Sequence, residues 1–420
     1  MILNAILLML PVLQLGISYW VGTATIAAIF VCGSLKVDFV VRQISLRGEN
    51  VISLIFVSLC YLLSNIDLNS ADPVGDTLAT ARVLMFWLMM TSFITANNST
   101  DILSRQPTKV FPHLLVFTSA GMLMLVVVQW FRLQSGYVGI PQDWFIQNAN
   151  TLPGELDIKY SYIRPFGTFG EPSYLAFYCL SLMLISLGMC RYKQTARHGK
   201  IALFLLTATG LLSQSFAFEM GLGVILITIV TERSSQWFRS RARAVFYAGA
   251  VATLLLLVIW IIIQASAGIS ERLAAITSGS DDSVNFRIFA PFQVMIAYLG
   301  LHPLGLPRTR MAEELNRLAI PLLQNSEFQA DNAIFSTIYQ FGIAGAVLLY
   351  RYIACSVDIW VAAYLLLTLN FNGAIFSVDK FTVIVFSVAL YLHYSRTNEK
   401  STPNIEIRKR RQKIEIVAPD

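Results

Sequence analysis

Residues 163–174, IRPFGTFGEPSY, place Arg164 and Glu171 just ahead of a long apolar run. A second arginine, Arg287, stands in NFRIFAPFQVMIAYLG, again surrounded by hydrophobic bulk. A guanidinium in such a setting needs an anion beside it or carries a large desolvation cost. Its forked donors suit phosphate, since they engage two oxygens at once. Glu171 and Asp331 are the carboxylates placed to accept a proton from a hydroxyl. Asp331 and Asn332 open another apolar run, QADNAIFSTIYQFGIAGAVLLY. His302 lies in LGLHPLGLP, and Arg308 and Arg310 follow it in the same stretch.

Each of these residues also has a plain structural use. In that use Arg164 would pair with a nearby acid such as Glu171, and Arg287 with one such as Asp281. Glu171 before Pro172 is an ordinary helix start, with the carboxylate complementing the dipole and Pro in the first turn. Asp331 and Asn332 suit an N-cap. A lone histidine such as His302 is commonly packed in a core or left on a surface. Both readings stand at this level.

The elements that must hold these groups are apolar helices. The chain has 420 residues, 55% hydrophobic and 13% charged, against about 25% charged in an average soluble domain. Its apolar residues come in blocks near the roughly 20 residues that cross a bilayer core. About twelve spans are expected, near 3–17, 19–35, 51–66, 78–95, 113–131, 173–190, 201–213, 216–230, 244–265, 333–350, 353–370 and 378–394. The first block lacks a basic n-region and runs into a second apolar block without a small-residue cleavage site, so the two read as a retained pair of spans. The seventh and eighth are short and form one hairpin turning around SQSFAFE, near Ser215 and Glu219.

Basic residues cluster in alternate loops, including Arg191, Lys193, Arg197 and Lys200, and in the tail RKRRQK. The positive-inside rule puts that side and both termini in the cytoplasm. The other side holds two long loops, about 132–172 and 266–332, with short amphipathic helices in them. RTRMAEELNRLAIPLL gathers Met311, Leu315 and Leu318 on one face, as a helix lying on a membrane surface does. The layout is a single transmembrane domain over 1–396 with a basic tail at 397–420. The net charge of +6 is a topology signal or a contact for anionic membrane lipid; no nucleic-acid partner is expected.

Other chemistries find no support in the motifs. There is no Walker A loop, no dinucleotide fingerprint after a strand, no HExxH and no GxSxG. The five cysteines have no paired spacing, so neither a metal site nor a disulfide framework is indicated. No cofactor is expected, and an enzyme of this kind would need an already activated donor.

Four stretches then carry a resemblance: RPFGTFGEPSYLAFY, TGLLSQSFAFEMGLGVIL, NFRIFAPFQVMIAYLGLHPLGLP and DNAIFSTIYQFGIAGAVLLY. In order and spacing they resemble Wzy-type polysaccharide polymerases of the O-antigen polymerase and ligase superfamily, with exopolysaccharide and colanic-acid-type members nearest. The likeness runs from Arg164 to the last span; the first five spans match in hydropathy alone. It implies an all-α polytopic membrane protein with a GT-C-like fold and two long periplasmic loops. It implies a metal-independent glycosyltransferase at the periplasmic face of the bacterial inner membrane. The substrate would be undecaprenyl-diphosphate-linked oligosaccharide, and the partners a chain-length regulator and a flippase. Arg164 and Arg287 match the family's loop arginines, which would bind the diphosphate, and Glu171 its acidic residue; Arg308 and Arg310 would then be weaker phosphate or glycan contacts. Asp331 falls where related ligases carry histidine before GIAG, which favours polymerase over ligase and leaves the general base open. The alternatives are an O-antigen ligase acting on lipid A core and a flippase or transporter of lipid-linked sugar. Against transport, the charges gather at one face and no internal repeat is visible.

Overall fold

The computed structural model of the chain describes residues 110–135, 164–169, 172–237, 290–306, 308–319, 332–354, 359–370 and 378–397, with the isolated positions Ala274 and Ser278. Among the described residues the structure is helical, with no strand. The helices are α1 (Val110–Gln134), α2 (Pro172–Arg191), α3 (Ala196–Leu212), α4 (Phe216–Trp237), α5 (Ala290–Leu301), α6 (Arg308–Ala319), α7 (Ala333–Ala354), α8 (Ile359–Thr368) and α9 (Val378–Thr397). The first four expected spans, the ninth and the basic tail lie outside the described residues.

Two of these helices, α1 and α2, are long and apolar enough to cross a membrane. They fill that role differently. Most of α2 is buried, from Leu175 through Ile185, at the centre of the bundle. Helix α1 buries Phe111, Leu115, Met122 and Val126 on one side. Its other side exposes Phe117 at 78% and Met124 at 71%. An exposed apolar stripe of that length marks contact with lipid or with another chain.

Lipid is as apolar as leucine, so helices inside a bilayer associate through close packing and interhelical hydrogen bonds. Both appear around α2. A Cβ on Gly188 would lie 2.9 Å from the Tyr391 carbonyl oxygen, so only glycine lets α2 and α9 approach this closely. The Ser181 and Tyr364 hydroxyls share a 2.8 Å hydrogen bond between α2 and α8.

Contacts at the helix ends fix the directions. Tyr174 meets Lys380 near the starts of α2 and α9, and Arg191 meets Tyr391 toward their ends, so the two helices run parallel. The His113 and His198 rings lie 4.4 Å apart at the starts of α1 and α3. One end of the bundle therefore gathers the starts of α1 and α3 and the ends of α2 and α9. It carries Arg191, Lys193, Arg197 and Lys200. The opposite end gathers the starts of α2 and α9, the close of α1 and the α3–α4 turn. The end of α8 and the start of α7 meet there as well, since the Ala333 amide donates to the Leu369 carbonyl at 2.9 Å.

The expected short hairpin is longer than its apolar blocks. The polar turns ARHGK and TERSSQW continue as helix, which extends α3 to 17 residues and α4 to 22. The reversal over Ser213–Ser215 satisfies its own backbone: the Ser213 amide donates to the Thr209 carbonyl, and the Phe218 and Glu219 amides to that of Ser215. Gln214 takes φ 48° at its centre. Irregular backbone of this kind is tolerated away from water when its polar groups are paired.

The tenth expected span departs more sharply. Read as one helix over 333–350, it is broken at Gly342, where φ is 60° and ψ is −141°. The loop after α5 docks into the break: the Ile343 amide donates to the Pro303 carbonyl at 2.9 Å, and the Leu306 amide to the Tyr339 carbonyl at 3.2 Å. These bonds replace some of the helix bonds lost at the kink. Two glycines make the fit possible. A Cβ on Gly342 would lie 2.1 Å from the Pro303 oxygen, and one on Gly305 would lie 2.2 Å from the Gln340 oxygen. Around this joint α5, α6 and α7 form a second core of Val294, Tyr298, Met311, Leu315 and Tyr339. The amphipathic face expected of α6 is the one it buries here through Met311 and Leu315, while Arg310 and Arg317 are exposed.

Candidate anion-binding site at one end of the bundle

The described part of the arginine motif folds into a tight turn. The Phe169 amide donates to the Phe166 carbonyl at 3.1 Å, with Gly167 at φ 65° as the second residue. A positive φ there is the mark of a primed turn, and glycine adopts it without a Cβ penalty. The turn rests on Leu175 of α2, and Phe169 packs its ring against Tyr178.

A single side chain clamps this turn to α1. The Phe166 and Gly167 amides donate to Gln129 Oε1 at 3.2 and 2.7 Å, and Gln129 Nε2 donates to the Gly167 carbonyl at 2.6 Å. Gln129 is 1% exposed, so these bonds form away from competing water. Intramolecular hydrogen bonds are worth about 1 kcal/mol each net, but leaving a buried partner unmade costs about 1–3 kcal/mol. The clamp therefore fixes the chain that leads from Arg164. Arg164 itself is 7% exposed, a guanidinium held inside the apolar end of the bundle.

A second buried cation lies at the same end. Lys380, in the first turn of α9, is 4% exposed, and its Nζ sits 3.8 Å from the centre of the Tyr174 ring. Tyr174 precedes Leu175, the residue under the Gly167 turn. Two buried positive groups thus share the first turn of α2 as support. Glu219, in the first turn of α4, is a half-buried acid beside the hairpin reversal at this end.

The other sequence candidates separate. Asn332 caps α7: its Oδ1 accepts from the Ile334 amide at 2.9 Å and its Nδ2 donates to Asn370 Oδ1 at 2.6 Å. That is the N-cap alternative, joined to a tie between α7 and α8. His302 belongs to the second core. Its ring stands 5.4 Å from that of Tyr298, and its Nε2 lies 3.4 Å from Glu314 Oε1. The Arg317 guanidinium, which also bonds Glu314, holds that carboxyl below its ordinary range, and His302 adds to the effect. Arg310 is exposed on α6, and Arg308 opens the same helix with its side chain outside the described residues. Glu171, Arg287 and Asp331 lie outside the described residues.

Sequence reasoning missed Gln129 and Lys380. Gln129 had a signal, an amide inside the apolar run LMLVVVQWF. Lys380 had one too: it is a basic residue at the start of a span entered from the side where basic residues are scarce. Among the described residues no group of three or more histidines, cysteines or carboxylates is placed to hold a metal. Charge at this site comes from fixed side chains, which can stabilise an anion by preorganisation. No family model matches the chain, and no curated protein matches it.

Proposed function

We propose that the chain is a polymerase that joins undecaprenyl-diphosphate-linked oligosaccharide units into a surface polysaccharide, as the Wzy-like motifs imply. The observation that carries this reading is Arg164, buried two residues before a clamped turn at the end of an apolar bundle opposite the basic loops. In this reading about twelve helices cross the bacterial inner membrane, and the Arg164 end faces the periplasm.

The chemistry is a substitution at the anomeric carbon of the donor sugar. An acceptor hydroxyl oxygen forms the new bond, the bond to the lipid diphosphate breaks, and the diphosphate leaves with the electron pair. Arg164 and Arg287 neutralise the charge that grows on the departing oxygens. The hydroxyl proton passes to a carboxylate, for which Glu171 and Asp331 are the candidates. Fixed guanidinium groups in a water-poor site serve this purpose because they need no reorganisation as charge develops.

The test is reconstitution of the purified protein in lipid with undecaprenyl-diphosphate repeat units, with products separated by size. A ladder of chains is expected from the natural protein. Arg164→Gln should slow its formation by about 100-fold or more, the usual loss when one preorganised contact to a developing charge is removed. Normal chains from that variant at equal protein level would remove Arg164 from the mechanism. Glycan moved only to lipid A core would make the protein a ligase. Lipid-linked units carried across the bilayer without joining would make it a transporter.

A further inference from the structure

We infer that the contact between His113 and His198 is a proton-sensitive junction, closed while His198 is neutral and opened when it takes up a proton. The two rings lie 4.4 Å apart, tilted by 60°, across the starts of α1 and α3. His198 is half-buried, and its Nδ1 is enclosed without a hydrogen-bond partner. In an imidazolium both ring nitrogens carry a hydrogen. A proton on His198 therefore sets an N–H inside the closed junction with no acceptor, which costs more than the same group facing water. It also adds positive charge to a region that is already basic. Helices α1, α2 and α3 and the turn at 192–195 contain no carboxylate.

The groups around His198 come from four directions. Helix α1 brings His113, and α3 itself brings Arg197 and Lys200. Helix α2 ends with Cys190 and Arg191, and Lys193 stands in the turn. The end of α9 brings Tyr394, whose ring stacks on Phe111 of α1. Toward the ends of α4 and α9, Glu232, Arg233, His393 and Arg396 have side chains outside the described residues. His198 precedes the seventh expected span, which begins at 201. Its burial, with His113 and Arg197 adding to the effect, holds it below the ordinary imidazole range. Histidine is the side chain whose charge small environmental changes move across physiological pH. The open junction has the ordinary value and the closed one a lower value, so opening takes up a proton. Closure is therefore fully favoured above the ordinary value of about 6.5, and the advantage is lost as pH falls from there toward the lower one. The start of α3 is fixed to α2. Thr195 Oγ1 donates to the Met189 carbonyl at 3.0 Å, and a Cβ on Gly199 would lie 2.8 Å from the Ser186 oxygen. The charge is relieved by the start of α1 moving away from α3.

The experiment follows hydrogen exchange by mass spectrometry on the full chain in lipid nanodiscs from pH 8 to pH 5, with the intrinsic pH dependence of exchange divided out. The variants are His198→Asn, which keeps a polar side chain of similar size that does not titrate, and His113→Phe, which keeps a ring without its charge. Thermal unfolding of each is recorded at pH 8. In the natural protein a peptide covering 112–120 should lose protection by about tenfold or more at pH 5, while one covering 178–186 of α2 is unchanged. His198→Asn should hold that loss to about twofold or less. His113→Phe should move the midpoint of the loss to higher pH, because one source of repulsion is gone. Equal protection of 112–120 at pH 8 and pH 5 overturns the inference. So does a full-sized acid response in His198→Asn, and so does a loss at pH 5 that spreads equally into α2. Should His198→Asn fail to fold, His113→Phe decides: a midpoint unchanged from the natural protein overturns the inference.

Discussion

Replacing Gln129 by leucine removes the clamp on the arginine turn while keeping a side chain of similar size in the apolar core. Three hydrogen bonds are lost, two from the Phe166 and Gly167 amides and one to the Gly167 carbonyl. Leucine offers nothing in return, so two donors and one acceptor remain in a place shielded from water. At about 1–3 kcal/mol for each unmade buried partner, the turn loses on the order of 3 kcal/mol or more. It escapes part of that cost by opening toward water, so the loss appears as local opening. The bundle core should survive, because Leu180, Leu184 and Ile185 of α2 pack deeper in the bundle. Hydrogen exchange followed by mass spectrometry on the protein in lipid nanodiscs reads this directly. A peptide covering 164–169 should exchange at least thirtyfold faster in Gln129→Leu, since 1.4 kcal/mol is a factor of ten. Peptides from the middle of α2 should be unchanged. Diphosphate binding should weaken with the turn, because Arg164 loses its fixed position. Unchanged exchange over 164–169 would refute the clamp, and loss of protection throughout α2 would show that Gln129 holds the bundle rather than the turn.

Two more outcomes follow from the second core. Gly342→Ala puts a methyl group 2.1 Å from the Pro303 oxygen at a φ and ψ that glycine alone adopts readily. It should cost about 1–3 kcal/mol in backbone strain, with overpacking added, and lower the unfolding temperature while speeding exchange over 302–306. Glu314 sets a pH dependence. Its carboxyl is held below its ordinary value by Arg317, so the stabilisation it gives is complete above the unfolded value and is lost as pH falls through the lower folded one. Unfolding temperature should therefore drop less between pH 7 and pH 3 in Glu314→Gln than in the natural protein.

Much of the scaffold was legible because apolar helices announce themselves in one dimension. The run after Pro172 is apolar on every side, which requires burial or lipid all round, and α2 is the buried helix at the centre of its bundle. The buried stripe of α6 was equally plain, since Met311 and Leu315 are one helical turn apart. The scarcity of basic residues on one side of the chain singled out Arg164, and it is buried at the end of the bundle away from the basic loops.

What no local pattern carried was which distant backbone would complete each irregular segment. Gln129 lies 38 residues before the glycine it holds, so nothing near IRPFGTF names its partner. Gly342 reads as one small residue in an apolar helix until HPLGL arrives from α5 to accept and donate the bonds that a break would strand. Lys380 reads as the flank of a last span until the parallel packing of α2 and α9 sets it over Tyr174. Periodicity and charge asymmetry are summed over neighbours in sequence and so fix helices and sides. A hydrogen bond or a buried cation's seat depends on one contact across the fold, and only tertiary packing decides that.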